Sequence, residues 1–165
     1  MSYAERRLLG FSAEQMFDVV NTVAEYPKFV PWCKKADVRK ISDRVLEADL
    51  LIGFPPLHEA YKSKVTTLYP YVVHSVCTEG RIFNFLETTW RFGPGAPDKQ
   101  DKTCTLYFSV SFEFKSAFYA HFASMFFDQV VKQMVSAFLK RAEKLYGPPA
   151  VDHFRIKPQI VQYSK

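Results

Sequence analysis

The histidines and cysteines are the residues best suited to chemistry, and their spacing does not favour a catalytic or metal site. His58-Glu59 follows two prolines, but no second histidine comes at the spacing that places two ligands on one helical face. Cys33, Cys77 and Cys104 are far apart and form no C-x-x-C pair, so neither a zinc site nor a disulfide framework is indicated. The G-x-S-x-G, H-E-x-x-H and glycine-rich phosphate-binding motifs are also absent. We therefore expect a protein that is not an enzyme and needs no metal.

Two further histidines keep an alternative open. His74 falls within a predicted strand and His121 on a predicted helix, and each would serve as a general base if it faced a cavity beside a carboxylate. Histidines in such positions more often have a structural or surface role, and that is the interpretation we prefer.

Aromatic residues are abundant, with 16 Phe, 9 Tyr and 2 Trp. An indole ring combines a flat apolar surface with one N–H donor, which suits a ring-shaped ligand or a membrane interface. Trp32 lies in a proline-rich turn, which favours a functional role, whereas Trp90 lies in a strand pattern and is equally well explained as a core residue.

The charge balance favours anionic partners without selecting one. The chain has 22 Lys and Arg against 17 Asp and Glu, a net charge of +5. No dense basic cluster or RNA-binding aromatic motif is present, so we expect no nucleic acid ligand. No run reaches the roughly 18 to 20 apolar residues of a membrane span. Met1 to Gly10 has neither a secretory signal pattern nor a mitochondrial-type leader.

The local patterns predict two short helical segments followed by a sheet. Ser12 and Gln15 form a capping-box pattern, which predicts a helix over about 12–20. A second, broken helical turn follows through Pro27 and Pro31. From 34 to 114 apolar residues alternate with polar ones, most clearly over 103–114, and Gly and Pro breaks divide the region into about six antiparallel strands.

Residues 116–146 contain no Pro or Gly and precede Gly147-Pro148, which predicts one long helix. Its second half is polar on one side. In its first half the same side carries Phe118, Phe122 and Met125, so this half is apolar all round. Such a segment is covered by another element, contacts a partner or a membrane, forms a homo-oligomer interface, or lines a cavity.

These elements predict an α+β fold in which a curved antiparallel sheet wraps around a long C-terminal helix, the helix-grip or START-like arrangement. We expect one domain over 1–149 and a tail of unassigned order over 150–165.

Four segments make a family resemblance specific. The sequence resembles the mitochondrial coenzyme Q-binding START-domain family, within the polyketide cyclase superfamily, over about 3–148. The segments that carry the resemblance are FVPWCKK at 29–35, GFPP at 53–56, ETTWRF at 87–92 and MFFDQVV at 125–131.

The resemblance implies a non-enzymatic chaperone that carries ubiquinone, or a related prenylated quinone, at the matrix side of the mitochondrial inner membrane. It also implies a role in respiration and quinone biosynthesis. Two alternatives have the same fold: a ribosome- or protein-associated module, and a cyclase or hydrolase that uses His74 or His121 as its base.

The strand alternation and the helical spacing predict which residues serve this function. We expect the ligand cleft to be lined by Trp90, Phe108, Val110, Phe127, Val131 and Met134. We expect the entrance, or a peripheral contact with an anionic membrane, at Phe29, Trp32, Lys34, Lys35, Phe54, Pro55, Pro56, Phe118, Phe122 and Met125.

Overall fold

A computed structural model describes residues Met1–Lys165 as one antiparallel sheet with helices on one face. The strands are β1 (Ser2–Leu9), β2 (Cys33–Ser42), β3 (Val45–Phe54), β4 (Leu57–Leu68), β5 (Val72–Gly80), β6 (Phe83–Gly93), β7 (Cys104–Phe114) and β8 (Gln159–Ser164). The helices are α1 (Ala13–Asn21), a 3₁₀ helix (Val23–Lys28) and α2 (Ala117–Tyr146).

The eight strands follow the order β2-β3-β4-β5-β6-β7-β1-β8. Strands β2 to β7 therefore pair with their neighbours in the sequence, while β1 adds beside β7 from the far end of the chain. The predicted α+β arrangement of an antiparallel sheet with a long C-terminal helix is confirmed. Register shifts interrupt the β1/β8, β2/β3, β4/β5 and β6/β7 pairs. Such bulges bend a sheet locally.

The helix ends form where the sequence places capping residues. The Ser12 hydroxyl accepts a hydrogen bond from the Gln15 amide, and the Gln15 side chain accepts one from the Ser12 amide, which completes the predicted capping box. The Ser116 hydroxyl caps the N-terminus of α2 by accepting a hydrogen bond from the Phe118 amide. Gly147 ends this helix with φ of +87°, a conformation that favours glycine.

Residues 150–165, which have no assigned order from the sequence, return to the sheet. His153 is fully buried, and its Nδ1 accepts a hydrogen bond from the Gly10 amide at 3.0 Å. Strand β8 then pairs with β1, and the Lys165 ammonium lies 2.8 Å from the Asp128 carboxylate on α2. The tail therefore contacts both the sheet and the long helix.

The core lies between α2 and the inner face of the sheet. The alternate residues Leu106, Phe108, Val110 and Phe112 of β7 are all buried on this face, as their period of two predicts. They contribute to the layer with Phe127, Val130, Val135, Phe138, Leu139 and Ala142 of α2.

Candidate ligand-binding site

Two small cavities remain between α2 and the sheet. The larger has a volume of about 80 Å³ and the smaller about 60 Å³. They share a wall made of Trp32, Ile52, Tyr61, Leu86, Thr88 and Met134, so they form one hollow with two compartments. We refer to this pair as the interior cavity.

The interior cavity is apolar because inward-facing positions of consecutive strands meet there. Successive residues of a strand point to opposite faces, so Val73, Ser75 and Cys77 of β5 face the cavity while His74 faces away. Of the 18 residues that line the larger compartment, 15 are hydrophobic. The site therefore favours an apolar ligand.

Three of the six residues predicted to line a cleft lie on the cavity wall: Trp90, Val110 and Met134. Phe108 is fully buried behind the wall, with its ring centroid 4.6 Å from that of Trp90. Phe127 is also fully buried and packs on Tyr163 of β8, with centroids 5.6 Å apart. Val131 is half-buried and packs against the core.

Several wall residues were not predicted as ligand-binding residues from the sequence. Three strands of the meander contribute these residues to the wall: Leu50 and Ile52 of β3, Tyr61 of β4 and Leu86 of β6. The alternation of Leu50 and Ile52 was a signal that one face of β3 is buried. Nothing in the sequence distinguishes a buried face that borders a hollow from one that borders a filled core.

The cavity carries few polar groups. Ser75 and Thr88 hydrogen-bond to each other across neighbouring strands. The Tyr61 hydroxyl has no partner within the protein, and burial raises the pKa of this phenol above its usual range. Burial also raises the pKa of the Cys33 thiol to about 11, so the cavity wall presents a neutral thiol near pH 7.

Aromatic contacts close the cavity between α2 and the β3–β4 hairpin. The Phe126 ring on α2 lies 5.8 Å from that of Trp32 and 5.4 Å from that of Phe54, centroid to centroid. Further along, the Tyr119 hydroxyl donates a hydrogen bond to the Glu59 carboxylate at 3.0 Å. We call these contacts the gate.

The residues predicted for an entrance divide into three groups around the gate. Trp32 is buried and lines both compartments, and the half-buried Phe54 belongs to the gate. Phe29 is half-buried, with its ring 5.0 Å from that of Phe138 and beneath the Arg141 guanidinium. The remaining residues lie at the surface: Lys34, Lys35, Pro55, Pro56, Phe118 and Met125 are exposed, and Phe122 is half-buried.

The histidines do not face the cavity. The His74 Nε2 lies 3.2 Å from the Glu87 carboxylate on the outer face of the sheet. His58 and His121 are exposed, and His153 belongs to the tail and is buried against Gly10. No group of three or more His, Cys, Asp or Glu side chains is arranged to hold a metal ion.

A larger groove lies elsewhere, near the C-terminal end of α2. It encloses about 880 Å³ and is lined mainly by polar and charged residues, including Ser12, Gln15, Asp98, Lys99 and Lys102. Its walls lack the continuous apolar surface of the interior cavity, so it is less suited to an apolar ligand.

A protein-family model matches most of the chain. Residues 9–139 match the family described as polyketide cyclase / dehydrase and lipid transport. A START superfamily protein from Mycobacterium smegmatis has the same fold, with a TM-score of 0.71 and 15% identity over 87% of this chain and 98% of its own.

No helix of this chain is both long and apolar enough to span a bilayer.

Relatives with curated names carry two descriptions. The mitochondrial coenzyme Q-binding protein COQ10 homolog B of Xenopus laevis is 50% identical over 89% of this chain and 60% of its own length. The ribosome association toxin RatA of Pseudomonas aeruginosa is 29% identical over 85% of this chain and 94% of its own. The chain thus spans less than two thirds of the coenzyme Q-binding relative.

Proposed function

The chain belongs to the coenzyme Q-binding family of the polyketide cyclase and lipid-transport superfamily, and we propose that it binds ubiquinone in the interior cavity and carries it without chemical change. The observation that carries this proposal is an apolar cavity between α2 and the sheet, closed by an aromatic gate. Each CH₂ of an isoprenoid tail removed from water contributes roughly 0.8 kcal/mol.

The size of the cavity implies that binding moves the gate. Ligand pockets for drug-sized molecules measure roughly 300 to 1,000 Å³, well above the compartments of about 80 and about 60 Å³. We assign the movement to the first half of α2, which carries the gate residues Tyr119 and Phe126 and whose outward side chains Phe118 and Met125 contact solvent. Entry of the quinone would part Phe126 from Trp32 and Phe54 and join the two compartments.

Tyr61 would orient the ring of the quinone. Tyr61 lines both compartments and its hydroxyl has no partner within the protein, so it can donate a hydrogen bond to a quinone carbonyl oxygen. A hydrogen bond of this kind contributes about 0.5 to 1.5 kcal/mol net.

A carrier role explains the chemistry of the wall better than an enzymatic one. A general base must come within hydrogen-bond reach of the group that reacts, and His74 lies on the opposite face of the sheet from the cavity. The Cys33 thiol stays protonated, so it is a poor nucleophile. Turnover of a candidate substrate that depends on His74 or His121 would contradict this assignment.

Exchange of so apolar a ligand requires contact with a bilayer. We place this contact at the matrix side of the mitochondrial inner membrane. The role of the protein there would be to support respiration and quinone biosynthesis. The gate and the exposed Phe118 and Met125 lie on the same half of α2 and would enter the interface together. Lys34 and Lys35, next to Trp32, would add attraction to anionic lipid.

Quinone binding is tested by native mass spectrometry and lipid extraction of the purified protein after incubation with quinone in detergent micelles. We expect one bound quinone per chain in the wild type and loss of the ligand in Met134→Trp, which fills the cavity. A wild-type protein that takes up neither quinone nor another lipid would refute the proposal.

Membrane contact is tested separately by liposome flotation of Trp32→Ala, Phe54→Ser and Phe118→Ser. We expect each variant to float less than the wild type while its thermal unfolding stays cooperative. A reduction only in Phe118→Ser that accompanies a change from dimer to monomer would assign this residue to a homo-oligomer interface instead. Unchanged flotation in all three would contradict the loading model.

A second candidate, ribosome association, has one observation in its favour: the similarity to RatA over most of that protein's length. Co-sedimentation with ribosomes in the absence of quinone uptake would support this candidate over the carrier role.

A further inference from the structure

A basic groove lies between the 3₁₀ helix and the second half of α2. Its volume is about 530 Å³. No acidic residue is among those that line it, and its charged residues are Lys28, Lys132, Lys140, Arg141 and Lys144. Like charges this close repel one another, so their concentration on two adjoining elements favours an anionic ligand. None of these five residues was singled out in the sequence.

The nearby carboxylates do not neutralise the groove. Helix α2 contains two acidic residues, Asp128 and Glu143. Asp128 pairs with Lys165 at 2.8 Å, and Glu143 lies 3.3 Å from the buried histidine of the tail. Glu25 pairs with Lys28, and the Arg141 guanidinium also helps to lower the pKa of this carboxyl. Lys132, Lys140 and Lys144 form no ion pair within the protein.

The basic groove adjoins the interior cavity along the segment that follows the 3₁₀ helix. Phe29 and Pro31 line the groove, while Val30 and Trp32 line the cavity, so one short turn separates the two sites. A ligand in the groove would therefore lie directly beside the gate residue Trp32.

The outer face of α2 changes character along its length in a way that matches a membrane surface. Phe118 and Met125 are 72% and 56% exposed, and the first basic residue of the groove, Lys132, follows Met125 by seven residues. At 1.5 Å per residue this separation is about 10 Å. If α2 meets the bilayer with its N-terminal end, burial of Phe118 and Met125 by about 5 to 10 Å, the depth typical of peripheral apolar side chains, places Lys132 near the level of the phosphates.

We propose that the basic groove binds the phosphate of an anionic phospholipid, which holds the protein at the bilayer with its gate against the membrane. This inference rests on the proposed membrane-loaded carrier and adds a specific lipid headgroup to it. RNA also presents phosphates, but it suits the basic groove less well. The single aromatic ring in the groove, that of Phe29, is covered by the Arg141 guanidinium at 5.5 Å and cannot stack on a base.

The experiment uses the full chain and vesicles of phosphatidylcholine with or without phosphatidylglycerol. The groove variant is Lys132→Gln/Lys140→Gln/Lys144→Gln, in which all three side chains are exposed. The matched control is Lys64→Gln/Lys102→Gln/Lys157→Gln, which removes the same charge from exposed positions outside the groove. Both variants lower the net charge equally, so general electrostatic attraction changes equally.

We expect the groove variant to lose roughly a hundredfold in partition onto anionic vesicles, at about 1 kcal/mol for each basic residue near the surface. The control should lose less than about tenfold, and cooperative unfolding is measured for both. Equal partition of the groove variant and the control would overturn the inference. So would wild-type preference for neutral vesicles, or a loss in the groove variant of RNA binding alone.

Quinone uptake from detergent micelles separates this inference from the function on which it rests. A wild type that takes up no quinone, yet binds anionic vesicles through the groove, would remove the carrier role and keep the phosphate site. A wild type that carries quinone, with a groove variant that still binds vesicles like the control, would remove only the phosphate site.

Discussion

The interior of the sheet has a filled side and a hollow side, although one helix covers both. On the filled side, over β1 and the start of β7, Leu9, Leu106 and Phe108 are fully buried, as are Phe127 and Leu139 of α2. On the hollow side, over β3 to β6 and the end of β7 at Val110 and Phe112, the residues around Tyr61 and Met134 leave the interior cavity. The difference indicates that the filled side fixes the position of α2, while the hollow side can be occupied by a ligand.

Matched leucine truncations should produce the largest difference between the two sides. Leu106→Ala on the filled side should lower the free energy of unfolding by about 3 to 5 kcal/mol, because the packed surroundings cannot collapse into the space. Leu50→Ala, on the cavity wall, should cost about 2 to 3 kcal/mol. Denaturant unfolding of both variants measures the contrast. Equal losses would mean that the two sides are equally well packed.

Enlarging side chains should give the same order of the two sides at a smaller cost. Leu139→Trp inserts an indole into the filled side and should cost at least about 1 to 3 kcal/mol. Met134→Trp places the same group in the cavity, where it should cost less than about 1 kcal/mol while abolishing quinone binding. Thermal unfolding and ligand occupancy are measured together. Strong destabilisation by Met134→Trp would show that the hollow side is as rigid as the filled one.

These contrasts follow from the three-dimensional arrangement more than from the sequence. The alternation over 103–114 and the absence of Gly and Pro over 116–146 were sufficient to predict β7 and α2 within about one residue. A cavity wall and a filled core both require apolar inward residues, so Leu106 and Leu50 have the same pattern in the sequence. The family resemblance supplied the class of ligand, which no periodicity indicates.

Strand β8 could not be predicted from the sequence for a different reason. All six of its residues are exposed, so its side chains carry no alternation that would predict a strand. It pairs with β1 through backbone hydrogen bonds, in which any residue can accept and any residue except proline can donate. The basic groove was missed for a related reason. Lys28 lies more than 100 residues before Lys132 in the chain, and only folding brings them together.

The stability of the protein should depend on pH through His153, which lies at the edge of the filled side. Burial lowers the pKa of this imidazole, and the nearby Glu143 carboxylate only partly opposes the effect. The unfolded chain therefore binds the proton more tightly, and stability should fall as the pH drops below about 6.5, by at most about 1.4 kcal/mol per pH unit. Urea unfolding across this range should show a slope that His153→Gln reduces and the surface change His121→Gln does not. A stability that rises on acidification would contradict the assignment.

The smallest expected effect tests the polar group of the hollow side. Tyr61→Phe removes the unpaired hydroxyl and leaves the ring, so it should weaken quinone binding by about 0.5 to 1.5 kcal/mol, roughly two- to tenfold. Stability should change little, because no hydrogen bond within the protein is lost. Tyr26→Phe is the matched control, since its hydroxyl already donates to the Val20 carbonyl. A quinone affinity that is unchanged in Tyr61→Phe would remove this residue from the site.

The strand order also has a consequence for the time course of folding. Strands β2 to β7 form a meander in which each pairing closes a short loop, whereas β1 pairs with β7 in a register that places Ser2 opposite Ser111. Long-range closure of this kind is slow, because the chain loses more entropy before the contact stabilises it. We expect the hairpins that surround the cavity to form first and the β1–β7 pairing to complete the sheet. Strand β8, exposed along its whole length, should join last and exchange its amide hydrogens fastest.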